Sequence, residues 1–532
     1  MLQHKRYFTR SSVLKHAVLG GFVLCAVALP AQAQASSGPH KTLEYQVINQ
    51  IHQLRSRSKT PVLKYDEQAS IVARQHAEAM VDSGIFSLTL PDLGSLNDQL
   101  NYARISARPL HTFIALGKTP RDIFNQIQKL PALKDREANS IAVGLSQGDH
   151  PQMGSVYWAT VILLDRMVDI SALPREVRVG QTLRIQVKYA SPHRNPRLPI
   201  TAPSGFVQRV QPIQVRSGQA DFEVRFSEKG RYTVEVLLDE PGVGPRVARI
   251  LPVYAGESYP RRESAVQNTA PQFKDTQTAA NHLFALLNQE RKKMGLPAVA
   301  RDAILERTAV DHSKDMALRG FFAHVNPKGQ NPNMRYQARG GFGTVGENIV
   351  IESQVDKAHR QLMASPGHRA NILQADLTHV GIGLYYYKDR YYVTQLFQSR
   401  QGPQDLRALK EQISTWLDSY RTQYDVGILL KDDLLQSINQ EYARKMAQQD
   451  RLDYAGTKTL GPLYTDRGGY YSNMSTVVFS ARDVNDVIHK LEKSKSLLQD
   501  ERWERYGLGI AQANSVSQGH NILWVTLGLA RE

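Results

Sequence analysis

The chain has 532 residues, 41% of them hydrophobic, 22% charged and 8% aromatic, the composition of globular protein at a length that suits three or four domains. Wholesale disorder and collagen-like structure are excluded. Lys and Arg total 66 against 50 Asp and Glu, a formal charge of +16, which favours anionic surroundings and says nothing about fold.

At the N-terminus the basic residues Lys5, Arg6, Arg10 and Lys15 precede an apolar run from Ala17 to Leu29, then Pro30 and the small-residue site Ala31-Gln32-Ala33. That order predicts a secretory signal peptide over residues 1–33, cleaved near Gln34, and a secreted or periplasmic mature chain. The run is short for a membrane span, and a retained N-terminal anchor is the rival reading. The single cysteine, Cys25, follows Leu24, where a bacterial lipoprotein site takes a small residue. Cleavage would leave a chain of charge +12 with no cysteine, which excludes disulfides, thiolate zinc sites and cysteine nucleophiles.

Residues 42–166 form the first predicted unit. Asp66, His76, Met80, Gly84 and Phe86 are spaced as an amphipathic helix that runs out into a loop. The unit closes with a Gly-rich strand, Ala142-Val143-Gly144, and an aromatic strand, Tyr157 to Leu164. Residues 168–255 change character: Leu183–Val187, Phe222–Phe226, Tyr232–Leu238 and Ala248–Tyr254 alternate apolar with polar, which predicts a small β-sandwich of immunoglobulin-like type. Residues 256–275, with Pro260, Arg261, Arg262 and Pro271, read as a linker.

The helix pattern of the first unit returns 236 positions later in residues 276–401, as Asp302, His312, Met316, Gly320 and Phe322. It returns again 130 positions further on, in residues 405–531, as Asp432, Leu435, Tyr442, Met446 and Leu452. Val380-Gly381-Ile382-Gly383 and Gly507-Leu508-Gly509 repeat the closing Gly-rich strand. Helices first and alternating strands last predict layers of helix on sheet in each of three related units.

Within the central unit the chain reads Phe322-Ala323-His324-Val325-Asn326-Pro327-Lys328-Gly329, then Gly346-Glu347-Asn348-Ile349, Ser365-Pro366-Gly367-His368-Arg369-Ala370-Asn371, and Thr378-His379-Val380-Gly381. These four motifs, in this order over about residues 278–400, resemble the CAP superfamily, also called SCP-like, in its short bacterial form. The flanking units resemble the family only through the helix pattern and the closing strands. The resemblance implies an α-β-α sandwich for each of the three related units, which with the immunoglobulin-like β-sandwich read from strand alternation makes an α+β multidomain chain. It also implies a central groove in which His324, Glu347 and His368 bind ligand and a divalent metal such as zinc. Two imidazoles and a carboxylate make a zinc half-shell with open positions, whereas the bland reading makes the histidines organisers of the Asn-Pro and Pro-Gly turns.

The chain departs from larger family members between His359 and Ser365, where Leu362 stands in place of a Trp and no carboxylate follows. In the flanking units Leu88 and Tyr454 replace His324, and Lys129 and Lys495 fall near the place of His368. No His-Glu-x-x-His or Gly-x-x-x-x-Gly-Lys motif occurs, and no Gly-x-Ser-x-Gly nucleophile elbow is expected. The basic runs Arg55-Ser56-Arg57-Ser58-Lys59 and Arg291-Lys292-Lys293 read as solvated helix faces, and nucleic-acid binding is not expected. Tyr385, Tyr386, Tyr387, Tyr391 and Tyr392 form an aromatic hairpin that suits either stacking on a ligand or ordinary strand filling.

The leading functional expectation is a non-catalytic binding protein for lipid, envelope or surface ligands, not transmembrane after signal cleavage. Its rival is a metal-dependent hydrolase of an envelope polymer or peptide, with Glu347 as the base and His324 and His368 as metal ligands.

Overall fold

The structure is a computed structural model that describes residues 40–171, 173–260, 273, 275–452 and 460–532. The expected signal peptide 1–33, most of the expected linker 256–275 and Tyr454 lie outside the described residues. The chain is a mixed α/β multidomain protein: three four-stranded sheets with helices, and between the first two a unit of two packed sheets.

The helix Ala303–Arg319 shows why the repeated pattern folds as it does. The Asp302 carboxylate accepts from the amides of Ile304 and Leu305 and caps the helix, Leu305, Ala309, His312 and Met316 are buried on one face, and Gly320 ends it at φ 67°. Asp66 caps Glu67–Ser83 and Asp432 caps Asp433–Gln449 in the same way. Each of these helices lies directly on the Gly-rich strand. A Cβ on Gly383 would stand 2.0 Å from the Val310 amide nitrogen, one on Gly144 2.1 Å from that of Arg74, and one on Gly509 2.1 Å from the Asn439 carbonyl.

The three sheets share one strand order. In the central one it is Ala300–Arg301, His379–Tyr387, Arg390–Gln398, Gly346–Glu352, the first pair parallel and the others antiparallel. Helices Thr276–Lys293 and Val355–Ala364 bury Leu283, Leu287 and Leu362 on one face of the sheet. Leu305, Ala309 and Tyr336 cover the other.

The basic runs differ from expectation. Arg55, Arg291 and Arg421, separated by the same 236 and 130 positions as the helix patterns, have no exposed surface. Each sits in the last turn of the first helix of its unit, where helical rotation turns it inward. Arg291 donates through Nε to the Pro297 carbonyl at 2.8 Å and through Nη1 to the carbonyls of Ile372 and Gln374 at 2.9 and 2.8 Å. Arg55 holds Pro61, Leu133 and Asp135, and Arg421 holds Gly427, Leu498 and Asp500. A guanidinium with five donors serves unpaired loop carbonyls that no apolar side chain could satisfy.

In the two-sheet unit, five strands and four strands enclose one core that includes Ile185, Phe222, Phe226, Val234, Val236 and Leu251. The strand Gly230–Glu240 is buried on both faces from Tyr232 to Val236. Val234 and Val236 enter the core, and the alternation of a strand sends Glu235 to the opposite face, against the central unit. On the other flank Arg246 pairs with Asp165 of the first unit at 2.9 Å, and Arg249 donates to the Ile105 carbonyl at 2.8 Å.

Candidate functional site

The loop before the groove is built by Asn326, whose side-chain oxygen accepts from the amides of Lys328 and Gln330 and folds the Asn-Pro-Lys-Gly turn. Asn348, fully buried on the strand next to Glu347, donates to the His368 carbonyl at 3.1 Å, and Asn371 donates back to Asn348 at 2.9 Å. Ser365 caps the short helix Pro366–Ile372. Asparagines therefore organise these turns, and the groove imidazoles have other partners.

His324 Nδ1 lies 2.8 Å from Glu347 Oε1. Arg335 donates through Nη2 to Glu347 Oε2 at 2.5 Å and through Nη1 to the His324 carbonyl at 2.7 Å. Burial would raise the Glu347 carboxyl, but the His324 hydrogen bond and the Arg335 charge outweigh it and hold the group below the usual carboxylate range. His312 stands behind this pair, its Nε2 3.0 Å from the Ala323 carbonyl and 4.0 Å from Glu347. Burial pushes it down to about 4, so it is a neutral wall. Sequence reasoning missed Arg335, although it lies on the short helix Pro332–Gln337 that follows the His324 loop.

His368 faces another partner. Its Nδ1 lies 2.7 Å from Ser365 Oγ, and Ser365 Oγ is 2.6 Å from Glu235 Oε1. The Gly367 amide donates to Glu235 Oε2 at 2.5 Å. Desolvation, then the neighbouring His324, pushes His368 down to about 4. Two further bonds dock the two-sheet unit on the groove: Val325 amide to Val243 carbonyl at 3.0 Å, and Arg369 Nε to Gly205 carbonyl at 2.9 Å.

Between the two units lies a cavity of about 640 Å³. His324, Glu347, His368, Asn331 and Asn371 line it from the central unit, and Arg197, Leu198, Arg209, Val210 and Leu237 from the two-sheet unit. All three expected site residues thus reach one chamber. The tyrosine hairpin does not line it: Tyr386 and Tyr391 pack on each other at 4.7 Å at the far end of the strands.

A divalent ion, implied by the resemblance, can be tested against these donors. His324 and His368 each spend Nδ1 on a partner, which leaves Nε2 on each for a metal, and two imidazoles on one cavity fit such an ion. Both Glu347 oxygens are engaged, so Glu347 backs His324; service as a third ligand would require it to release a partner. Among the described residues no cluster of three or more His, Cys, Asp or Glu is placed to hold a metal.

Strand register locates the same positions in the flanking units. Gly383 lies opposite Thr394, Gly144 opposite Thr160 and Gly509 opposite Thr526. Two residues beyond each threonine, the facing residue is Glu347, Thr112 and Thr476 respectively. Counting back from the arginine-bound carbonyls of Ile372, Leu133 and Leu498 places Lys129 and Ser494 at the position of His368. Neither flanking unit has the carboxylate or the second imidazole.

Residues 284–397 match the model of the CAP family, described as the Cysteine-rich secretory protein family. The central unit is a CAP domain. Over 100 residues the chain is 35% identical to the uncharacterized protein YkwD of Bacillus subtilis (strain 168), covering 18% of this chain and 39% of that protein. It is 34% identical over 126 residues to the uncharacterized membrane protein YlbC of the same organism, covering 23% of this chain and 35% of that one. The chain therefore spans less than two fifths of either relative. Among solved structures, an extracellular protein containing a SCP domain from Bacillus anthracis str. Ames aligns at 17% identity and TM-score 0.23, over 52% of this chain and 92% of that one. No helix among the described residues is long and apolar enough to cross a membrane.

Proposed function

We propose that this chain is a secreted or periplasmic, non-catalytic binding protein whose working site is the groove of its CAP domain, roofed by an immunoglobulin-like β-sandwich. The observation that carries the reading is the shared chamber, in which His324, Glu347 and His368 face walls from a second unit. Those walls mix Leu198, Val210 and Leu237 with Arg197 and Arg209, which suits a ligand with apolar and anionic parts, as lipid, envelope and surface molecules have. His324 and His368 would hold a divalent ion such as zinc, which when bound supplies an electron-pair acceptor to that ligand. The first and third units are CAP-like copies without the groove cluster, a reading supported by the common strand order, the buried arginines and the threonines opposite the Gly-rich strands. The signal-like N-terminus supports export.

The hydrolase rival needs Glu347 as a free base. A carboxylate clamped by Arg335 and His324 and held ionised is a poor proton acceptor, so the geometry favours binding. Co-sedimentation of the purified chain with phospholipid vesicles and with isolated envelope material tests the reading. The expected result is retention that a His324→Ala, His368→Ala double variant loses, with no release of hydrolysis products. Turnover of envelope polymer that Glu347→Gln abolishes would overturn it.

A further inference from the structure

Glu235 is a carboxylate with no exposed surface, in a strand where valines fill the flanking positions. Among the described residues, the hydrogen-bond partners of its carboxylate come from the CAP domain: the Ser365 hydroxyl and the Gly367 amide. Burying a carboxylate in a contact between two domains, where a Leu would pack, is costly without a return. The return follows from the order of donors and acceptors around it.

The Gly367 amide can only donate, so Glu235 Oε2 accepts from it. An ionised carboxylate has no proton, so the Ser365 hydroxyl also donates, to Oε1 at 2.6 Å. With its single proton spent, Ser365 Oγ can only accept from His368 Nδ1 at 2.7 Å. His368 therefore carries its ring proton on Nδ1 and a lone pair on Nε2. The same logic applies to His324, whose Nδ1 proton goes to Glu347 at 2.8 Å. Two histidines with a lone pair on Nε2 line one chamber, one set by a carboxylate of the CAP domain and the other by a carboxylate of the neighbouring unit.

We propose that Glu235 is a positioning residue of the groove, acting through Ser365 to hold His368 with Nδ1 protonated, so that the second imidazole is ready for a ligand only while the two-sheet unit is docked. The inference rests on the reading of the groove as a binding site and sharpens it. What His368 meets is an electron-pair acceptor, and the simplest is a divalent cation shared with His324.

The test uses the full chain labelled with ¹⁵N-histidine at pH 8. Two-bond ¹H–¹⁵N spectra distinguish the two tautomers, and loss of its signal in His368→Gln assigns His368. The wild type should show Nδ1–H at both His324 and His368. In Glu235→Gln the amide oxygen must face the Gly367 N–H, because that group cannot accept. The amide NH₂ then donates to Ser365 Oγ, the Ser365 proton turns to His368 Nδ1, and the ring inverts to Nε2–H. Ser365→Ala, which removes the relay, should leave His368 a mixture of tautomers. In both variants His324 should keep its pattern, and zinc affinity measured against a chromophoric chelator should fall about 10- to 100-fold. His368 remaining Nδ1–H in either variant would overturn the proposal, as would a change at His324 equal to that at His368, which would show that Glu235 only docks the domains. If the tautomers respond as described but the wild type binds no zinc, the zinc-holding part of the proposed function fails and the positioning role of Glu235 stands.

Discussion

Burial pushes the Glu235 carboxyl up to about 7 from its ordinary 4.5, against the opposing pull of the Ser365 and Gly367 hydrogen bonds. Below pH 4.5 the group is protonated in both the folded and the unfolded chain, and it contributes no pH dependence. Between about 4.5 and 7 the unfolded chain has lost a proton that the folded chain retains, so folding becomes less favourable as pH rises. At about 1.4 kcal/mol per pKa unit the total loss is about 3 kcal/mol, complete above pH 7, a large part of the roughly 5–15 kcal/mol that holds a typical domain folded. Glu235→Gln is neutral at every pH and lacks this slope. Urea unfolding of both proteins from pH 4.5 to 8 reads the effect, because other titrating groups cancel in the difference. Relative to wild type, the variant should gain about 3 kcal/mol across that range. A difference that stays constant with pH would refute the argument and place the Glu235 carboxyl near its ordinary value.

Other perturbations test other parts of the structure. Arg291→Met leaves the carbonyls of Pro297, Ile372 and Gln374 without their donor and should cost about 4 kcal/mol in urea unfolding. Gly383→Ala places a methyl 2.0 Å from the Val310 amide and should cost about 3 kcal/mol or abolish soluble expression, whereas Gly320→Ala, with nothing within 4 Å, pays only for its positive φ, about 1 kcal/mol. Glu347→Gln strands the buried Arg335 guanidinium and should destabilise by about 3 kcal/mol at pH 8. A fragment of residues 276–401 should fold alone and show near-ultraviolet circular dichroism, since its core clusters draw on its own helices and sheet; a molten fragment would mean that the two-sheet unit is part of its core.

The elements that follow local rules were legible in the sequence. Asp302 before an apolar period and Gly320 after it marked a helix at both ends, and the alternation in Tyr232–Leu238 marked a strand. His324, Glu347 and His368 were found because each lies in a motif. Arg335 and Glu235 were not, for two physical reasons. A charged residue on a short helix has no periodicity to betray that it turns inward. A Glu between two valines in a strand has the pattern of a half-solvated edge, and only the docking of another unit makes that face an interior. The basic runs misled for a related cause: in Arg291-Lys292-Lys293 the two lysines are on the surface, and the arginine beside them has no exposed surface.

The buried arginines have a consequence for how this fold can change. In the CAP domain the Arg291 Nη1 contacts begin at Ile372, immediately beyond the segment from Ser365 to Asn371 that carries His368. In the first and third units the same clamp closes behind Lys129 and Ser494. The clamp grips only main-chain oxygens, so it tolerates any side chains in the segment ahead of it. Recognition chemistry can therefore be rewritten without disturbing the frame, and the chain offers two frames already folded and free of the cluster. Transplanting the residues around His368, with a histidine and a glutamate at the two matching places, into the third unit is a design route to a second site on the same backbone.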